Sequence, residues 1–197
     1  GQYEKAIVYF QNSLVIAQEI GDERVTGGNF GNLGIIYLNI GQYKKSLSYL
    51  QQALELSRTI GDKRNEGINL GSLGIVYLEL GQYEEALKAY KQSIEIAKEI
   101  GNKRNEGINL GNAGDVLLKL KRLEEARECF IQAIEICDES FPVAAGAFRG
   151  SLAFLLAQEN SVNEALNVLT IGEPLVVVYP SEHGKFLCKK AKVLHLA

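Results

Sequence analysis

The sequence predicts an all-α fold, an α-solenoid built from antiparallel helical hairpins. The stretch Gly61–Leu80 (GDKRNEGINLGSLGIVYLEL) recurs 40 residues earlier as 21–40 and 40 residues later as 101–120. Self-similarity at a fixed period of this size is the signature of a repeat protein. Each period also holds two segments whose apolar residues return every three to four positions, as they do on one face of a helix. A repeat of helical hairpins therefore explains both observations.

Composition and charge argue against several functional classes. The 197-residue chain has a net charge of −3, so we expect neither a nucleic-acid partner nor a membrane surface. No apolar run approaches the roughly 18 residues that a membrane-spanning helix needs. The cysteines Cys129, Cys137 and Cys188 show neither disulfide nor metal spacing, and we expect free thiols in the reducing cytoplasm. The chain lacks methionine and begins inside a repeat, so we expect it to be a fragment of a longer protein.

The repeat period divides the chain into successive segments of one array spanning 1–197. An incomplete repeat that supplies only its second helix comes first, regular hairpins follow, and a degenerate hairpin precedes an unpaired last helix. The expected segments are, in that order, 1–20, 21–60, 61–100, 101–138, 139–179 and 180–197.

Short joints separate the predicted helices. Each regular joint pairs a glycine with Asp or Asn: glycine takes the left-handed conformation that ends a helix, and the polar side chain caps the next one. The later copies place Lys121 and Asn160 where the joint glycine is expected. The regular joints are Gly21-Asp22, Gly61-Asp62 and Gly101-Asn102.

The first helix of each regular hairpin carries three glycines in fixed places. In the central copy these are Gly67, Gly71 and Gly74. An interior glycine costs a helix about 1 kcal/mol relative to alanine, so we expect a neighbouring helix to pass very close over this face. A phosphate-binding loop would be the alternative, but no strand precedes the glycines and no Gly-Lys-Ser/Thr follows them.

The C-terminal part departs from the regular pattern. In the last copy of the second helix, which starts at Ser161, a Gly-x-Pro motif ending at Pro174 interrupts the helical pattern. We therefore expect 174–178 to be either a kinked continuation of this helix or an extended stretch. In the last helix the small-residue spacing returns, and tight packing is expected at Gly184, Cys188 and Ala191.

Seven residues of the central copy carry a family resemblance: Leu73, Gly74, Tyr77, Gly81, Tyr83, Ala86 and Tyr90. They resemble the tetratricopeptide repeat, although the period of 40 residues is longer than the family's usual length of about 34. This long variant is similar to the repeats of Pins-type cell-polarity adaptors and of many bacterial signalling proteins. The resemblance implies a right-handed α-solenoid whose first helices line a concave groove, and it implies a protein–protein interaction module.

The resemblance also implies which side chains face the groove. Within this set the Asn and Ser residues form a polar ladder for a peptide backbone, the arginines a basic row suited to carboxylates, and the Ile and Phe residues an apolar floor. The candidate partner-binding residues are Arg24, Asn32, Arg64, Ile68, Ser72, Ile75, Arg104, Ile108, Asn112, Asp115, Ser151, Phe154, Lys185 and Lys189.

The expected ligand is another protein or peptide, an extended or helical segment with acidic and apolar side chains. An alternative stays open for the arginines. A repeated Arg at a helix start can instead pair with a glutamate of its own chain, here Glu66 or Glu106, and such surface pairs are common.

Two functional hypotheses from different classes remain. The first is a scaffold or adaptor that binds a partner protein in the groove. The second is a regulatory or sensor segment of a larger signalling protein, which binds a small peptide or its own effector domain.

The only histidines, His183 and His195, lack metal spacing, and no catalytic constellation can be assembled. We therefore expect no enzyme, no metal and no cofactor. Uncovered terminal helices are further expected to allow end-to-end self-association.

Overall fold

The computed structural model describes residues 1–196, and Ala197, the last residue of the predicted segment 180–197, lies outside them. Within the described residues the secondary structure is α-helical, without strands, and no helix there is both long and apolar enough to cross a membrane. The helices are α1 Gln2–Glu19, α2 Glu23–Asn39, α3 Tyr43–Thr59, α4 Lys63–Glu79, α5 Tyr83–Glu99, α6 Lys103–Lys119, α7 Leu123–Ser140, α8 Pro142–Gln158, α9 Val162–Val176 and α10 Pro180–Leu196.

Helix contacts divide the chain into two units, one covering Gly1–Ile100 and the other beginning at Gly101. In the first unit α2 pairs with α3 and α4 pairs with α5, while α1 packs on α2. In the second unit α6 pairs with α7 and α8 pairs with α9, and α10 packs on α8 and α9. The predicted fold class, an all-α solenoid of helical hairpins, is confirmed.

The joints have the predicted left-handed geometry. Gly61 has a φ of 70°, and the other joint glycines lie between 69° and 74°. Lys121 and Asn160 adopt the same conformation, with φ of 58° and 63°, although it costs a residue with a Cβ about 1–2 kcal/mol. The predicted cap is also present, because Asn65 donates its backbone N–H to the Asp62 carboxylate at 3.1 Å.

The helix glycines mark close helix–helix contacts, as predicted. A Cβ at Gly74 would lie only 2.5 Å from the ring of Tyr90 on the second helix of the same hairpin. Tyr90 itself is fully buried. The equivalent contacts join Gly34 to Leu50 and Gly114 to Phe130.

Pro174 lies inside α9, which continues to Val176. The extended alternative for 174–178 is therefore wrong for residues 174–176. Packing explains the difference. Gly172 is buried, and a Cβ there would lie 2.9 Å from Arg149 of α8 and 3.0 Å from Phe186 of α10. Gly172 is thus a contact glycine, and tertiary contacts hold this stretch helical although proline lacks the N–H that would bond the preceding turn.

The predicted packing of the small residues in α10 is wrong. Gly184, Cys188 and Ala191 are all exposed, and a Cβ at Gly184 would meet no atom within 4 Å. The helix instead buries Phe186 and Val193 against its unit. The small-residue stripe therefore lies on the face of α10 that no described helix covers.

Candidate partner-binding site

In the first unit the predicted groove residues follow one stripe along each of two helices. Residues three and four positions apart share a helix face, and all of these side chains are exposed or half-buried. We call this surface the α2–α4 face. Its members are Arg24 and Asn32 on α2 and Arg64, Ile68, Ser72 and Ile75 on α4.

The arginines of the α2–α4 face are not neutralised by Glu66. That carboxylate accepts from Arg58 Nε at 3.0 Å and lies 3.3 Å from Lys63 Nζ. Arg24 approaches Asp62 at 3.8 Å with a side chain that is 79% exposed, and Arg64 makes no ion pair within residues 1–196. Since exposed pairs are weak, both guanidinium groups remain available to a ligand.

The polar groups of the α2–α4 face keep hydrogen-bonding capacity. Ser72 donates its hydroxyl to the Ile68 carbonyl at 2.9 Å, which leaves the oxygen able to accept. Asn32 is exposed and offers both a donor and an acceptor. The face can thus bond a peptide backbone without requiring a particular side chain.

In the second unit several predicted residues border one cleft of ≈ 350 Å³ between α6, α8 and α10. We call it the α6–α8–α10 cleft. The predicted residues at the cleft are Ile108, Asn112, Asp115, Lys185 and Lys189, and the others that line it are Phe141, Val143, Ala144, Ala147, Phe148, Glu182 and Phe186.

Ser151 does not line the cleft. Its side chain is buried, with the residue only 1% exposed. The hydroxyl donates to Asp115 Oδ1 at 2.8 Å and accepts from Lys189 Nζ at 2.5 Å. Ser151 therefore links a carboxylate of α6 to an ammonium group of α10, and its hydroxyl is occupied within the unit.

Two further predicted residues lie outside the cleft lining. The guanidinium of Arg104 sits 4.0 Å above the centre of the Phe141 ring, so it borders the cleft through that ring. Phe154 is the second of these residues, and Lys192 Nζ lies 5.6 Å from the centre of its ring. Both are cation–π contacts, which contribute about 0.5–1 kcal/mol at exposed sites. Glu106, the other candidate partner for an arginine, accepts from Lys103 at 2.8 Å.

Sequence reasoning missed the aromatic floor of the cleft. Phe148 and Phe186 are buried, and a Cβ at Gly111 would collide with the Phe148 ring. When the small residues of α8 and α10 are aligned with the glycines of α4, both aromatic residues take the position of Asn69. An aromatic side chain replacing a repeated asparagine was the signal in the sequence.

The described residues give no support for a metal centre. Within residues 1–196 no three His, Cys, Asp or Glu side chains are grouped so that they could hold a metal ion.

Burial, with a smaller contribution from Asp138, raises the pKa of the Cys137 thiol to about 11. This thiol is therefore protonated at neutral pH, and the thiolate is the nucleophilic form.

Comparison with protein-family profiles places the chain near one repeat family. A profile described as Tetratricopeptide repeat matches residues 26–99, and a second with the same description matches 109–139. Together the matches cover just over half of the chain. A comparison with curated proteins gives no significant match.

Several solved structures have similar folds. BtubC from P. vanneervenii has a TM-score of 0.80 at 15% identity, covering 100% of this chain and 84% of its own. The apo quorum sensor NprR from B. thuringiensis has a TM-score of 0.78 at 20% identity over 94% of this chain and 53% of its own. A signal-transduction ATPase with a tetratricopeptide repeat sensor from Pyrococcus horikoshii reaches 0.82 at 24% identity over 96% and 30%. The chain thus spans about half of NprR and under a third of the ATPase.

Proposed function

This chain belongs to the tetratricopeptide repeat family, and on that premise we propose that it is a protein–protein interaction scaffold or adaptor. It binds an extended or helical segment of a partner through the first-helix surface of each unit. The α2–α4 face carries this proposal, because it presents cationic, polar and apolar side chains in rows and leaves the Arg64 guanidinium without an ion pair within residues 1–196.

Each row of the α2–α4 face suits a different part of a peptide. Asn32 and Ser72 can bond the peptide backbone. Arg64 can take a carboxylate in a two-pronged hydrogen bond, while Ile68 and Ile75 offer apolar contact. A flexible peptide is ordered on binding, which lowers affinity, so we expect dissociation constants on the order of micromolar.

A regulatory sensor segment of a larger signalling protein is the second candidate function. It is favoured by two of the similar structures: NprR has been crystallised with its cognate peptide NprX, and the Pyrococcus protein carries a tetratricopeptide repeat sensor. A sensor would be saturated by a short peptide or by an effector domain of its own chain. A scaffold would need a folded partner that carries the recognised segment.

We also propose a cytoplasmic location and self-association. Within residues 1–196 all three cysteines are free, as expected in a reducing compartment. Self-association would use the uncovered apolar face of α1, where Tyr9, Ile16 and Ile20 are exposed.

Affinity capture from a lysate of the source cells tests the scaffold function. The variant Arg24→Glu/Arg64→Glu reverses both charges of the α2–α4 face, whereas Lys88→Glu/Lys91→Glu makes the same charge change on exposed positions of α5. Arg104 is left unchanged because it stacks on Phe141. We expect the α5 control to capture the same protein as the wild type, and the α2–α4 variant to capture at least about tenfold less.

Equal capture by both variants would contradict binding through the α2–α4 face. Equal loss in both would indicate a non-specific charge effect and would contradict it as well. If no protein is captured but a synthetic peptide binds the wild type, the sensor function replaces the scaffold.

A further inference from the structure

We propose that the α6–α8–α10 cleft is an anchor pocket for one large apolar side chain of a partner peptide, with an acidic residue next to it. This inference rests on the proposed function and makes its ligand specific. The second unit would thus bind its ligand in a cleft, whereas the first unit presents the rows of side chains that form the α2–α4 face.

The cleft has an apolar floor that the first unit lacks. Phe148 is 6% exposed and Phe186 is 1% exposed, and the rings lie where Gly111 and Gly150 carry no Cβ. In the first unit the corresponding position holds Asn69, whose side-chain oxygen would be 3.1 Å from a Cβ at Gly31. Burial of an apolar side chain is favourable over the aromatic floor because it removes apolar surface from water, but it is not favourable over a polar amide.

Small side chains leave the cleft open above this floor. Ala144 and Ala147 of α8 are half-buried, and Ile108 of α6 forms the opposite wall. The position of Ala147 in its helix corresponds to Ile68 in α4 and Ile108 in α6, so α8 has less side-chain volume there than either of those helices. A volume of ≈ 350 Å³ is at the lower end of ligand pockets, which span about 300–1,000 Å³. That size suits a single Leu, Ile or Phe side chain and its flanking backbone.

Most charges at the rim of the cleft are already satisfied. Asp115 and Lys189 lie 4.0 Å apart and share the buried Ser151 hydroxyl. Lys185 pairs with Glu182 at 2.8 Å. A ligand gains little from breaking either pair, so these four groups orient a peptide more than they attract it.

Arg104 is the cation at this rim without a carboxylate partner among residues 1–196. Its guanidinium is held against the Phe141 ring, which lines the cleft. Arg104, Lys185 and Lys189 oppose only Asp115 and Glu182 there. The excess positive charge favours an acidic residue beside the apolar anchor and disfavours a basic one.

Synthetic peptides of defined sequence test this inference directly. The probes are acetylated and amidated octapeptides of Gly and Ser with a central Leu-Asp, Phe-Asp, Ala-Asp or Leu-Lys pair. Binding to the full chain is measured by isothermal titration calorimetry for the wild type, for Ala147→Trp and for the matched control Gln132→Trp. A tryptophan at 147 fills the cleft, whereas one at 132 lies on an exposed position of α7 outside the cleft and the α2–α4 face.

We expect the wild type to bind the Leu-Asp and Phe-Asp peptides at least about tenfold more tightly than the Ala-Asp peptide, because one apolar side chain is buried. Ala147→Trp should lose that preference and Gln132→Trp should keep it. A second variant, Arg104→Gln, leaves the cleft volume unchanged and should weaken only the preference for Asp over Lys. This variant keeps the test valid if the tryptophan perturbs folding.

Several results would overturn the inference. Equal binding of the Leu-Asp and Ala-Asp peptides, or full binding by Ala147→Trp, would show that the cleft anchors nothing. A lower molar mass for Ala147→Trp in light scattering would show that a second copy occupies the cleft. If no peptide binds while lysate capture still depends on Arg24 and Arg64, the inference fails and the proposed function stands. If both experiments fail, both proposals fall.

Discussion

At the scale of single residues, a missing side chain sets how closely two helices approach. Gly74 faces the Tyr90 ring, which would lie 2.5 Å from an added Cβ, whereas Gly28 faces no atom within 4 Å. Both glycines lie inside a helix and both weaken it, since glycine is a poor helix former. Only Gly74 offsets that weakness, because it lets α5 contact α4.

Replacing each of these glycines by alanine should therefore have opposite effects. We expect Gly74→Ala to lower the free energy of unfolding by about 1–3 kcal/mol through overpacking. Gly28→Ala should raise it by about 0.5–1 kcal/mol through helix propensity. Urea unfolding followed by circular dichroism measures both. If Gly74→Ala were more stable than the wild type, the close-contact explanation for the repeated glycine spacing would be refuted.

At the scale of a helix, the attachment of α10 combines apolar burial with charged contacts, including a cluster around Glu173 of α9. Phe186 and Val193 are buried, and Lys190 Nζ donates to Glu173 of α9 at 2.6 Å. His183 Nε2 lies 3.7 Å from the same carboxylate. The hydrogen bond from Lys190 lowers the pKa of Glu173 most, and His183 adds to the effect.

This lowered pKa makes the docking of α10 sensitive to acid. A carboxyl whose pKa is lower in the folded state stabilises the fold above its unfolded pKa and loses that contribution as the pH falls through its folded pKa. The free energy of unfolding of Glu173→Gln should thus fall below that of the wild type near neutral pH. The difference should vanish below the folded pKa of Glu173. Urea unfolding across that pH range measures it.

The matched control is Glu164→Gln, which removes an exposed carboxylate from the first turn of the same helix. Because Glu164 makes no ion pair within residues 1–196, its replacement should change the free energy of unfolding near neutral pH less than Glu173→Gln does. If the stability of Glu173→Gln stays parallel to the wild type at every pH, the ion pair with Lys190 contributes nothing to the docking.

At the scale of the whole molecule, the uncovered face of α1 predicts self-association. Ile16 is 58% exposed, whereas Ile96, at the same place in α5, is 7% exposed and faces Gly67 of α4. In the α5 copy, contact with a first helix therefore buries the side chain that is exposed in α1. Exposed apolar faces of repeat ends favour association between copies.

Light scattering over a dilution series tests this self-association. We expect the molar mass of the wild type to rise with concentration, and Ile16→Glu to remain monomeric over the same range. Val15→Glu serves as the control, because Glu55 and Glu95 occupy that place in the other copies and face solvent. A constant molar mass for the wild type, or equal dissociation in both variants, would rule out association through this face.

Local patterns in the sequence were enough for the helices and their joints. The hydrophobic period, the Gly-Asp joints and the interior glycines act within one hairpin, so their consequences can be worked out without knowing the rest of the chain. Even Asn160, with a φ of 63°, was recognisable as a joint because asparagine tolerates that conformation. The family and the fold class follow from the same repeated features.

Tertiary structure alone decided the remaining features, because each depends on contacts between distant segments. Pro174 stays helical because Gly172 packs on α8 and α10, and the small residues of α10 remain exposed because that helix turns Phe186 inward. The buried Ser151 joins Asp115 to Lys189, residues 74 positions apart. A repeat pattern states which residue types recur, but the cleft exists only where α6, α8 and α10 bring residues that break the pattern into contact.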